Sequence, residues 1–172
     1  GSFEFWQLDG DDGGYGSAHV FVFDHSGTVG YSRTAEQQTY WITRDFGSGG
    51  PISYYDGTIT VLCDKFSGKQ FNSPNDVVVK KDDSIWFTDP PFGIGGHYEG
   101  HKATPLLPWD VYRWDAKTNQ VAMVANDIKG PNGLCFSPDE SKLYIIEART
   151  SPRQIRVYDV TADGTRLTNS RV

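Results

Sequence analysis

One pattern in this chain occurs twice, and it limits the fold more than any other feature. SPNDVVVKKDDSIWFTD spans residues 73–89 and PNGLCFSPDESKLYIIE spans residues 131–147. In each, a Pro-Asn pair leads into a short apolar run. An Asp/Ser-rich turn follows, then a second apolar run that closes on an acid, Asp89 or Glu147. One inserted residue, Lys142, aligns the copies. Each copy reads as a β-hairpin with a polar turn.

A second motif lies between and around these copies. VFVFD (20–24), ISYYD (52–56), VYRWD (111–115) and IRVYD (155–159) each open on a β-branched residue. Each has an aromatic fourth and Asp fifth, and a turn with Gly or Asn leads to another short strand. No apolar period of 3.6 residues persists for three turns, while 19 glycines and 9 prolines punctuate the chain. The reading is all-β. Two hairpins make a four-stranded sheet, which must stack on copies of itself to bury both faces. That arrangement favours a β-propeller over a sandwich. The aromatics Trp86, Tyr112, Trp114, Tyr144 and Tyr158 then pack between blades.

Charge narrows the partners. The chain has 16 basic and 22 acidic residues, a net charge of -6, with no block of like charges. A nucleic-acid partner is not expected, because phosphate binding needs clustered Lys and Arg. No apolar stretch has the length of a membrane helix, so no membrane partner is expected either. The two cysteines, Cys63 and Cys135, have no zinc spacing and make no disulfide framework. Cys135, inside the apolar GLCF, is expected to be a buried free thiol.

The repeat also marks a site. In a hairpin the start of the first strand lies beside the end of the second. In a propeller the first strand of each blade lines the central channel. Asn75 and Asn132 are therefore expected at one channel mouth, from neighbouring blades, with Asp76, Asp89 and Glu147 close by. Amide and carboxylate oxygens are what hard cations take as ligands. The competing reading is ordinary turn chemistry, since Asn after Pro is common ahead of a strand. His97 and His101, four apart in GGHYEGHKA, have zinc-helix spacing, but the surrounding glycines favour a loop. That loop is expected over the pocket, with Glu99 or His101 touching substrate and Glu147 meeting it from the end of the second hairpin. Arg149 follows the second hairpin on the same rim, either steering an anionic sugar or lying on the surface.

FNSPNDVVV, IWFTDPPFG, HYEGHKA, DVYRWD, GPNGLCFSPDESKLYIIEAR and IRVYDV resemble the gluconolactonase family, also called the senescence marker protein/regucalcin-like family. The resemblance covers about residues 56–172; residues 1–51 match mainly through VFVFD. It implies a six-bladed β-propeller of which this chain is about half the ring, roughly three to four blades in one domain. It implies hydrolysis of a sugar lactone at one divalent cation, calcium first, with zinc, magnesium and manganese open. By resemblance Asn132 is a metal ligand and Asn75 sits beside metal and substrate. The family's remaining ligands are a Glu near the first blade and the Asp of a Pro-Asp-Gly motif. Glu4 in GSFEFWQ and Asp163 in TADGTRL do not stand in those settings. The proton acceptor would then be Asp76 or Asp89. The chain alone is expected to bind metal weakly and to be a poor enzyme. The alternatives are a non-catalytic propeller module and a homodimer that completes the ring.

Overall fold

A computed structural model describes residues 18–21, 39–42, 52–55, 59–97 and 102–172, with side chains from residue 62 onward apart from 98–101. The first sheet joins β1 (Ala18–Phe21), β2 (Thr39–Ile42), β3 (Ile52–Tyr55) and β4 (Ile59–Cys63) in that order. A short hairpin follows, β5 (Lys65–Phe66) with β6 (Lys69–Gln70). The second sheet holds β7 (Val77–Val79), β8 (Ile85–Thr88), β9 (Val111–Asp115) and β10 (Gln120–Ala125). The third holds β11 (Pro131–Phe136), β12 (Lys142–Glu147), β13 (Gln154–Val160) and β14 (Leu167–Arg171). Every described pairing is antiparallel between consecutive strands. The all-β reading and the four-stranded unit stand. Residues 52–55, 111–115 and 155–159 of these motifs fall on third strands, whereas Val20 and Phe21 of VFVFD lie in β1, a first strand.

The repeat persists at the level of atoms. In the β7–β8 turn, Asp82 Oδ1 accepts the Ser84 N–H at 3.1 Å and its hydroxyl at 2.6 Å. In the β11–β12 turn, Asp139 Oδ1 accepts the Ser141 N–H at 3.1 Å and its hydroxyl at 2.9 Å. The residue between, Asp83 or Glu140, has φ of 66° or 56°. A short acid closes this turn because its oxygen reaches the N–H two residues on.

Alternation divides the second sheet into two apolar faces, both buried. Val77, Ile85, Phe87 and Tyr112 pack with Phe71 and Leu107, flanked by Leu62 and Phe66. Val78, Trp86 and Val111 pack from the other face against Leu134, Leu143, Ile145 and Tyr158 of the third sheet. Trp86 meets Phe136 edge-on across that junction, centroids 5.4 Å apart. The core thus lies in layers between sheets, as stacked blades require.

The third sheet's far face is open. Ile146 and Ile155, opposite each other in register, are 43% and 56% exposed. Cys135 lies on that face and is exposed, which corrects the buried thiol expected from GLCF. The period of two turns it away from Leu134 and the core. Both cysteines are free.

Candidate functional site

The Pro-Asn segments start neighbouring strands at one end of their sheets. The Asn75 N–H donates to the Thr88 carbonyl at 2.9 Å, and Asp76 and Thr88 exchange further bonds at 3.0 and 3.2 Å. Asn132 lies in β11 between Pro131, paired with Glu147, and Leu134, paired with Ile145. That register holds one extra residue on β11, a bulge at the asparagine. The sheets meet here. The Leu134 N–H donates to Asp76 Oδ2 at 2.8 Å, and a Cβ on Gly133 would stand 3.5 Å from the same oxygen. Asn75 thus adjoins the bridging acid on one sheet, and Asn132 lies two residues from its donor on the other. Both asparagines are half-buried, and neither side-chain amide bonds a described residue.

Asp76 is 5% exposed. Burial pushes its carboxyl up to about 6, against the opposing pull of the Leu134 and Val77 N–H groups. Asp89 is fully buried; Oδ2 accepts the Asn72 N–H and Oδ1 the Ser73 N–H, each at 2.9 Å. Burial pushes it up to about 7, with neighbouring Asp110 adding to the rise. Glu147 is fully buried too. Its Oε1 accepts the Lys129 N–H at 2.8 Å; its Oε2 accepts Gln154 Nε2 at 2.5 Å and Arg156 Nε at 2.9 Å. Burial alone would raise its carboxyl, but the bonds from Gln154, Lys129 and Arg156 outweigh it and hold it low. So Asp89 and Glu147 lie beneath the rim with their oxygens engaged.

Arg149 is exposed and reaches back over Gly130 to the loop between β8 and β9, its guanidinium 5.2 Å from the Phe92 ring centroid. Glu99 and His101 lie outside the described residues. Sequence reasoning missed Asn72. It is buried; its Oδ1 accepts the Leu106 and Leu107 N–H groups at 2.9 and 3.1 Å, and its Nδ2 donates to the Leu107 carbonyl at 3.0 Å. This one amide folds the long loop onto the Pro-Asn segment. The only hint was an asparagine three residues ahead of Asn75, which a reading of turn preference passes over.

Among the described residues no three or more His, Cys, Asp or Glu side chains group to hold a metal, and no helix is long and apolar enough to cross a membrane. An open groove of about 380 Å³ lined by Leu62, Phe66 and Asn119 lies at the turn end of the second sheet, away from Asn75 and Asn132.

Gly130 has φ +69°, and a Cβ there would fall 2.5 Å from Arg149 Cγ. Gly130→Ala is expected to cost about 1–3 kcal/mol of stability and to lift Arg149 off Phe92; chemical denaturation measures the first. Asp89 gives a pH signature. Its carboxyl ionises near 3.8 when unfolded and near 7 when folded, so between those values the folded chain holds a proton the unfolded chain has lost. Stability is therefore expected to fall as pH rises from about 5 to about 7.5. Asp76 adds the same sign up to about 6, while the carboxyls held low titrate below this window. Denaturation midpoints across the range read this out; a midpoint that rises contradicts it.

A family model described as the SMP-30/gluconolactonase/LRE-like region matches residues 4–172, further toward the N-terminus than the motifs carry the resemblance. A gluconolactonase of Zymomonas mobilis is 33% identical over 105 residues, which cover 61% of this chain and 29% of that protein. The lactonohydrolase OryL of Aspergillus oryzae is 32% identical over 91 residues, covering 53% of this chain and 20% of that protein. A solved gluconolactonase of Xanthomonas campestris superimposes with a TM-score of 0.70 at 35% identity, covering 80% of this chain and 45% of that one. The chain spans less than a third of these curated relatives' length and under half of the solved one.

Proposed function

The chain belongs to the SMP-30/gluconolactonase/LRE-like family, and on that premise we propose that it carries part of the site of a divalent-cation-dependent sugar lactone hydrolase. One observation carries the reading. Two half-buried amides without described partners stand in repeated Pro-Asn segments, on neighbouring sheets tied together by Asp76. Oxygen donors of this kind suit a hard cation such as calcium, and Asn75 and Asn132 would hold it. Two neutral amides fit only part of a shell, because affinity follows ligand charge and number. A cation held there would supply a Lewis acid able to polarise a lactone carbonyl and lower the pKa of water.

The chain's own residues do the rest. Asp76 adjoins the amides and is the described carboxylate best placed to take the proton from water. Asp89, with both oxygens engaged, is the weaker candidate. Arg149, with Glu99 and His101 of the long loop, would meet the substrate at the rim. The test is hydrolysis of a sugar lactone by the full-length gene product, with calcium, magnesium, manganese or zinc added in turn. Turnover that needs one of them supports the proposal; no turnover with any of them removes it.

A second reading, self-association into a homodimer, is favoured by the exposed pair Ile146 and Ile155. A second copy could cover this face as the third sheet covers the second, and two copies supply about the length of the solved relative. Sedimentation is expected to show a dimer that Ile155→Glu dissolves; a monomer at high concentration contradicts this.

A further inference from the structure

The two buried acids have matching positions, and the match extends to what they hold. In the aligned repeats Asn72 and Lys129 each stand three residues before the asparagine. The Asn72 N–H donates to Asp89 at 2.9 Å and the Lys129 N–H donates to Glu147 at 2.8 Å. Each acid closes the second strand of the hairpin whose first strand the asparagine opens. A buried proline, Pro74 or Pro131, lies between the latched backbone and the asparagine. It has a fixed φ and no N–H, so few torsions remain free in between.

We propose that Asp89 and Glu147 are positioning residues: each latches the backbone three residues ahead of the asparagine in its own sheet and so sets the direction of that amide. Each latch has further hold. The Ser73 N–H reaches the second oxygen of Asp89, and the Ser73 hydroxyl donates to the Pro90 carbonyl at 2.6 Å. On the third sheet the Ala148 and Arg149 N–H groups donate to the Gly130 and Lys129 carbonyls at 2.9 and 3.0 Å. An acid suits the task because neither of its oxygens carries a fixed N–H, so both can face donors, with the proton of the neutral form turned outward. A carboxamide offers one acceptor and turns an NH2 group toward a donor. The latch explains why an acid recurs at positions whose side chains lie under the rim. It rests on the proposed role of the asparagines only for its functional meaning.

The test is blade-specific. Asp89→Asn and Glu147→Gln are compared with the unmutated chain by NMR, reading the side-chain NH2 signals of Asn75 and Asn132 and the exchange of backbone amides. Asp89→Asn is expected to move the Asn75 signals and speed exchange at Asn72 and Ser73 roughly tenfold or more, leaving the Asn132 signals in place. Glu147→Gln is expected to do the mirror image through Lys129. Movement of both asparagines in either variant, or of neither, overturns the proposal. If a variant does not fold, the unmutated chain decides: the Asn72, Ser73 and Lys129 amides must exchange as slowly as those of Phe87 and Tyr112, and exchange at open-loop rates overturns the latch. Calcium added to the unmutated chain separates the two ideas. Asparagine signals that ignore calcium count against the cation reading, while the variant pattern still decides the latch.

Discussion

In the full-length gene product Asn132→Ala is expected to lower lactone turnover by roughly 100-fold or more, while moving the melting temperature of the chain by no more than about 2 °C. The two halves of that result have separate causes. The side chain is half-buried and makes no hydrogen bond to a described residue, so its removal takes no described bond from the fold. Its backbone stays in the bulge that Pro131 and Leu134 define through their pairing with β12. What disappears is one of the two oxygen donors proposed to hold the cation, from a set with little charge to spare. Asn75→Ala is expected to act in the same sense. A variant that melts normally and keeps full turnover would show that Asn132 is turn chemistry and nothing more.

Trp86→Ala has the largest expected effect on stability, about 3–5 kcal/mol. Trp86 is fully buried on the face of β8 that meets the third sheet, edge-on to Phe136. Its indole N–H donates to the Ser84 hydroxyl at 2.9 Å, and that hydroxyl donates to Asp82. Truncation opens a cavity between two blades and takes an acceptor role from the β7–β8 turn. Trp114→Ala is the control: its N–H donates to Asn119 in an exposed turn, and a smaller loss is expected. Urea denaturation of both variants measures the difference. Equal losses would mean that the core does not lie between sheets.

These two expectations draw on different parts of the sequence, and the parts were not equally legible. The sheets were readable because they repeat: DDS and DES close the same turn with the same bonds, and VYRWD and IRVYD fall on the same strand of successive sheets. Of the aromatics expected between blades, Trp86, Tyr112 and Tyr158 are buried there, whereas Tyr144 shares the open face with Cys135, because a side chain's face follows from its parity along a strand. Cys135 was misplaced because GLCF was read as a uniformly buried run without regard to parity, whereas only one face of β11 is covered. In the site, strand ends brought Asn75 and Asn132 to one edge, but no pattern showed what the acids hold. Asp89 and Glu147 reach backbone N–H groups 16 to 18 residues away, partners with no side-chain signature. Asn72, bound to backbone groups 34 and 35 residues away, was invisible for the same reason.

The most direct test of a shared cation is calcium titration into the chain, followed on the side-chain amide signals of Asn75 and Asn132. Both are expected to move along one saturation curve in the millimolar range, roughly what a low-charge oxygen site gives, and Asn132→Ala is expected to abolish the response of Asn75. Independent curves, or an Asn75 response that survives the loss of Asn132, would contradict a single cation held between the two sheets.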